Sequence, residues 1–168
     1  MKLTSASVGN SSLYTFAASY DNDLRLYSAT VSATSGGTIL YSTSRGYDAV
    51  GNVTSVGTTL AAGTDDQAFC YDEQNRLVWA SSQSTSGPCG GPLPVGSLSA
   101  ASYTASYTYD ALNRLSSAST QGSYTYGDAA HLHAATATTT GGYTATYDAA
   151  GDLQCRAATS AVTCSGGW

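Results

Sequence analysis

His131 and His133 are two residues apart, a spacing that on a strand turns both imidazoles to one face, where they could hold a metal ion. A working site needs a third ligand and a second shell to orient the rings. The nearest acid is Asp128, so the pair is only a weak metal candidate, and neither a metal nor a cofactor is expected. The aspartates recur singly along the chain, whereas a catalytic carboxylate pair needs two environments that separate its pKa values. Calcium prefers a shell of many oxygens, and the one or two carboxylates around each aspartate fall short of it. Serine and threonine are too numerous for one to stand out as a nucleophile, and no G-x-S-x-G turn is present. The chain is therefore expected to be non-catalytic. Cys70, Cys89, Cys155 and Cys164 contain no C-x-x-C pair, which leaves zinc poorly supported. An even cysteine count in a Ser/Thr-rich chain with the single lysine Lys2 leans toward an oxidising compartment and disulfides. Cys155 and Cys164 are close in sequence, and Cys89 lies in a Gly/Pro stretch that could fold back to Cys70; the alternative is four thiols.

The elements that position these residues are legible in a repeat. YDAVGNV at 47–53, YDEQNRL at 71–77, YDALNRL at 109–115 and YDAAGDL at 147–153 are clear copies. YDNDLRL from Tyr20 is looser, and YGDAAHL from Tyr126 is degenerate. The tyrosines at 20, 47, 71, 109, 126 and 147 step by 27, 24, 38, 17 and 21 residues, an irregular spacing centred on the length of a two-stranded unit. Before the motifs the chain alternates. Tyr103, Ala105, Tyr107 and Tyr109 share one face against Thr104, Ser106 and Thr108; Tyr14, Phe16, Ala18 and Tyr20, and then Tyr143, Ala145 and Tyr147, do the same. Each motif has the chemistry of a turn. Asp21, Asp48, Asp72, Asp110 and Asp148 can accept hydrogen bonds from backbone N–H groups ahead of them. Gly51, Asn75, Asn113 and Gly151 follow where a left-handed residue is wanted, and Val53, Leu77, Leu115 and Leu153 restart the alternation. In the Tyr20 copy that position holds Leu24, a poor fit, so this copy is expected to be distorted or out of alignment. Arg76 and Arg114 can pair with Asp72 and Asp110 or stack on tyrosines, or stand solvated at the turn. Residues 81–98 contain all three prolines and read as an inserted surface loop. No stretch reads as a helix. The chain is expected to be one all-β array of antiparallel hairpins over 1–168.

The net charge is −5 and only 10% of residues are charged. No basic stripe exists for nucleic acid, no apolar run is long enough to insert in a membrane, and residues 1–20 lack the features of a signal peptide. Few charges guard strand edges, and 1–12 and 157–168 carry no capping features, so pairing with further repeats or with copies of itself is expected. Asn10 and Asn52 head N-glycosylation patterns, and glycans are a further candidate partner, although Asn52 already has a place in its turn.

The motifs Y-D-x-x-G-N-L and Y-D-x-x-N-R-L, with the segment YTYGDAAHLHAATATTTGGYTATYDAAGDL at 124–153, resemble the RHS/YD-repeat family of bacterial RHS proteins, toxin-complex shell components and teneurin ectodomains. The resemblance covers roughly residues 13–157. It implies a sheet of successive hairpins that curves or spirals into a hollow shell, outside the cell or on its surface. This chain is too short to close such a shell, lacks the D-P-x-G-L segment of the family's self-cleavage region, and shows no toxin domain after residue 157. Only a structural role carries over: part of an extracellular shell, or a filament built through open sheet edges. The competing expectation is a cell-surface module that binds carbohydrate or protein on a tyrosine-rich face.

Overall fold

The computed structural model describes residues 13–82, 88–89 and 102–158, together with the backbone of 5–8. Every regular element among them is a β-strand, and every pairing is antiparallel. The chain divides into two compact units, 1–104 and 105–168.

In the first unit, β1 (Ser5–Val8), β2 (Tyr14–Tyr20), β3 (Leu26–Ala33), β4 (Ile39–Tyr47), β5 (Val53–Leu60), β6 (Gly63–Tyr71) and β7 (Leu77–Ser81) pair each with the next. Directly opposed residues share a face. One face therefore carries the row Phe16, Val31, Tyr41 and Leu60; the other carries Ala17, Thr30, Ser42, Thr59 and Thr64. The aromatic and hydroxyl faces anticipated from the alternation are those two rows. The hydroxyls bond across the ladder, as Ser19 and Ser28 do at 2.6 Å. Gly57 stands in the hydroxyl face, where a Cβ would come 2.9 Å from Ser44 Oγ and 3.0 Å from Asp66 Oδ1.

In the second unit, β8 (Thr104–Tyr109), which begins at the boundary, is followed by β9 (Leu115–Ala118), β10 (Gly122–Thr125), β11 (Ala137–Thr138), β12 (Tyr143–Tyr147) and β13 (Leu153–Ala158). These again pair in chain order. Antiparallel neighbours in chain order place alternate turns at opposite ends of the strands. In each unit the YD turns thus lie at one end and the plain hairpin turns at the other.

The residues that bury fully are small: Ala29, Ala68, Ala80, Ala105, Ala118 and Ala145. The largest well-buried side chain is Trp79, packed with Ala68, Cys70 and Val78. Phe16 and the motif tyrosines are half-covered. Ser81, at the start of the anticipated inserted loop, is the last residue of β7 and is buried; its Oγ donates to the Tyr103 carbonyl at 3.0 Å. Ser82 and Tyr103 close the neck of the insert through two hydrogen bonds of 3.0 Å. Most of the rest of the insert, 83–87 and 90–101, lies outside the described residues.

Strand length accounts for the contrast between the shortest repeat step and a long one. The 17-residue step from Tyr109 to Tyr126 spans β9 and β10, four residues each, whereas the 27-residue step from Tyr20 to Tyr47 spans β3 and β4, eight and nine residues.

Candidate functional site

The recurring structure is the YD turn. At each copy the motif aspartate closes a short loop with its own backbone: Asp72 N–H donates to the Arg76 carbonyl at 3.0 Å, and Asn75 N–H donates to the Asp72 carbonyl at 3.0 Å. The carboxylate then caps the loop from inside. Asp72 Oδ1 accepts from the N–H groups of Gln74 and Arg76, both at 2.9 Å. Asp21, Asp48, Asp110 and Asp148 accept from the amides two and four residues ahead in the same way. The third residue after the aspartate takes positive φ in five copies, Leu24 (69°), Gly51 (100°), Asn75 (61°), Asn113 (62°) and Gly151 (88°), and not in the degenerate copy, where His131 stands. The Tyr20 copy is thus neither distorted nor out of alignment. Asp21 and Arg25 supply enough hydrogen bonds to hold Leu24 in a conformation that a branched-chain residue disfavours.

One feature of these turns has no sequence signal of its own. The returning strand always carries one extra residue, so that Tyr20, Tyr47, Tyr71, Tyr109 and Tyr147 stand opposite Leu26, Val53, Leu77, Leu115 and Leu153 after a register shift.

The fourth residue after the aspartate meets its second oxygen. Arg25, Arg76 and Arg114 donate through Nε to Asp21, Asp72 and Asp110 at 2.7, 2.7 and 2.6 Å, and Asn52 donates to Asp48 at 2.9 Å. Pairing is therefore the geometry adopted by Arg76 and Arg114, and Arg25 belongs with them. Loss of water contact pushes the carboxyls of Asp21, Asp48 and Asp110 up, but the hydrogen bonds from Arg25, Asn52 and Arg114 outweigh it and hold them below the ordinary range. At Asp72 the Arg76 amide leads the same downward shift. A general base works best with a pKa near the operating pH. These carboxylates are shifted the other way, as acceptors that stay ionised at neutral pH.

The tyrosines join one turn to the previous one. Tyr47 Oη donates to the Leu26 carbonyl at 2.8 Å, Tyr71 to Val53 at 3.0 Å, Tyr126 to Leu115 at 2.9 Å and Tyr147 to Ala135 at 2.8 Å. Arginines of the preceding turn lie over two of these rings, Arg25 over Tyr47 at 4.4 Å and Arg114 over Tyr126 at 4.3 Å. Asn52 Nδ2 also reaches Asn75 Oδ1 at 2.9 Å. Only the periodic recurrence of tyrosine hinted at this link; the acceptor is a backbone carbonyl, which no side-chain pattern encodes.

His131 and His133 do not share the face of a strand. Residues 126–136 form an irregular turn between β10 and β11, because Gly127 and Asp128 interrupt the alternation. His131 Nδ1 lies 2.8 Å from Asp128 Oδ2, and the ring packs beside Gly151. His131, His133, Leu132 and Tyr147 line a shallow open depression. Cys70 and Cys89 form a disulfide with a Cα–Cα distance of 5.9 Å, and Cys155 is disulfide-bonded as well. Cys164 and Asn10 lie outside the described residues.

No family model matches this chain, and no curated protein matches it. Among solved structures, the geometry of hairpin after hairpin has a counterpart. The chain is similar in fold to a chain in the structure of the Photorhabdus luminescens Tc holotoxin pore, mutation TccC3-D651A. The TM-score is 0.50 and the identity 19%, over 84% of this chain and 9% of that one. At this identity the likeness is one of fold. The chain spans about a tenth of the length of its structural neighbour.

Proposed function

We propose that this chain is a non-catalytic structural array of the RHS/YD-repeat kind, a curved scaffold segment that works outside the cell as part of a shell or as a filament. The observation that carries this reading is the link between turns. The most distinctive side chains of the motif are spent on holding one hairpin to the next, by Tyr Oη to carbonyl at 2.8–3.0 Å. The motif carboxylates cap backbone rather than line a cleft. A sheet assembled this way grows by adding hairpins, whether they come from further repeats of a longer chain or from a second copy. The disulfide at Cys70 supports an oxidising, extracellular setting.

A second reading has one observation in its favour. Tyr14, Tyr27, Tyr41 and Tyr103 are exposed, and such rings can stack on sugars or dock on a partner protein. Negative-stain electron microscopy of the native protein, with mass determination alongside, tests the two. Regular filaments or tubes are the expected result for a structural subunit. Discrete monomers that bind a glycan or protein through the exposed tyrosines would move the binding module to the front.

A further inference from the structure

The face of the first unit that carries Phe16, Val31, Tyr41 and Leu60 has large side chains in contact with solvent. Tyr14 lies two residues before Phe16 and Tyr27 four before Val31, so both belong to it. Tyr14, Tyr27, Tyr41 and Leu60 are 36–57% exposed. Two charged residues share this face. Arg45, four residues past Tyr41, stands opposite Val56 on β5; Val56 stands opposite Gln67 on β6, and Asp65 lies two residues before Gln67. Arg45 is half-buried, with no hydrogen bond, ion pair or ring contact among the described residues. Asp65 accepts from Gln67 Nε2 at 3.1 Å, and Tyr103 Oη steadies Gln67 by donating to its Oε1 at 3.1 Å. Asp65 meets no cation among the described residues. A charge partly withdrawn from water calls for a counter-charge, and exposed apolar rows on a sheet face call for a cover.

The register of the strands says what cover fits. β4 and β6 flank β5, so a two-fold axis running along β5 lays β4 of one copy over β6 of another. Arg45 of each copy then falls above the partner's Gln67, one side-chain step from the partner's Asp65, a diagonal that a long side chain spans. Tyr41 falls above the partner's Gly63, which has no side chain to oppose it. Val56, Thr58 and Leu60 lie on the axis and meet their own copies. We propose that this face is the contact between two copies of the chain, packed sheet on sheet, with each Arg45 paired to the partner's Asp65. The opposite face offers no such match. Among the described residues its strands carry one charged side chain, Asp66, which would meet its like. A two-fold contact uses one surface for both sides and closes at two copies, unlike growth at sheet edges, and it stands whether or not those edges pair.

Sedimentation equilibrium of the full chain tests this, with circular dichroism as the check on folding. The native protein should sediment at twice the mass of one chain. R45D and D65R should each sediment as single chains, because each reversal sets like charges together twice across the axis. An equimolar mixture of R45D and D65R should regain the double mass, as should R45D/D65R in one chain. A native protein that stays single leaves the face to a glycan or another protein and overturns the proposal. A dimer indifferent to both reversals, or a mixture that stays single, overturns it too. Should either reversal unfold the chain, T58E takes its place: it sets two carboxylates face to face on the axis, and a dimer that survived it would be decisive against the contact. Where edge pairing builds filaments, the comparison is made on their width in negative stain, double in the native protein and single in R45D, so that the two assemblies fail separately.

Discussion

The left-handed position of the turn is filled by Gly51, Asn75, Asn113 and Gly151, and once by Leu24. Leu24 is 67% exposed, so its side chain gains little from burial while its backbone carries the strain. A left-handed residue with a full side chain costs roughly 1–2 kcal/mol, and asparagine bears it more easily. L24N is expected to raise stability by about 0.5–1 kcal/mol, read from the urea midpoint. N75L should lose at least as much, because it also removes the Asn75 acceptor of Asn52. The Asp-to-backbone caps were legible in the sequence, since Asp followed three residues later by Gly or Asn has a single simple reading. The fit of Leu24 was not, because the hydrogen bonds that override its preference come from Asp21 and Arg25 acting together.

At the scale of the hairpin, alternation identified the strands because tyrosine, alanine and threonine sort cleanly onto two faces of a pleat. It failed at 126–136, where Gly127 and Asp128 break the period and the two histidines enter a turn. The link between hairpins was hidden because its acceptors are carbonyls. Y71F tests that link: it removes the donor to Val53 and should cost about 1 kcal/mol, with faster amide exchange where β5 meets the next turn. Burial, followed by the charge of Asp48, holds the Tyr71 hydroxyl above the ordinary tyrosine range, so this donor persists into alkaline solution. The Cys70–Cys89 bridge acts at the same scale. It spans 19 residues and ties the insert to β6 beside Trp79. The double variant C70A/C89A should lose about 3 kcal/mol on the chain-entropy argument, followed by Trp79 fluorescence in urea.

For the whole molecule, the turn aspartates and His131 shift in opposite directions, while burial and then the charge of Asp65 push the Asp66 carboxyl up. Asp21, Asp48, Asp72, Asp110 and Asp128 all have depressed pKa values in the fold. Their contribution is complete above the unfolded carboxylate value of about 3.9 and disappears as pH falls through the lower folded values. His131 is raised, so its contribution is complete below about 6.5 and disappears on the alkaline side. Stability against urea should therefore be greatest in mildly acidic solution, between those two limits. It should drop steeply in stronger acid, where several caps protonate over one narrow range, and slightly above neutrality. A urea midpoint that climbed steadily into the alkaline range would contradict this.

The acceptors of the tyrosine hydroxyls are the main-chain carbonyls of Leu26, Val53, Leu115 and Ala135. Every residue type has that carbonyl. This bond therefore places no demand on which residue receives it, and the predecessor's identity enters only through side chains such as Arg25, Arg114 and Asn52, which also reach across. Drift in sequence and number of units is what such a joint permits: Leu, Val and Ala already serve interchangeably as the receiving residue within this one chain.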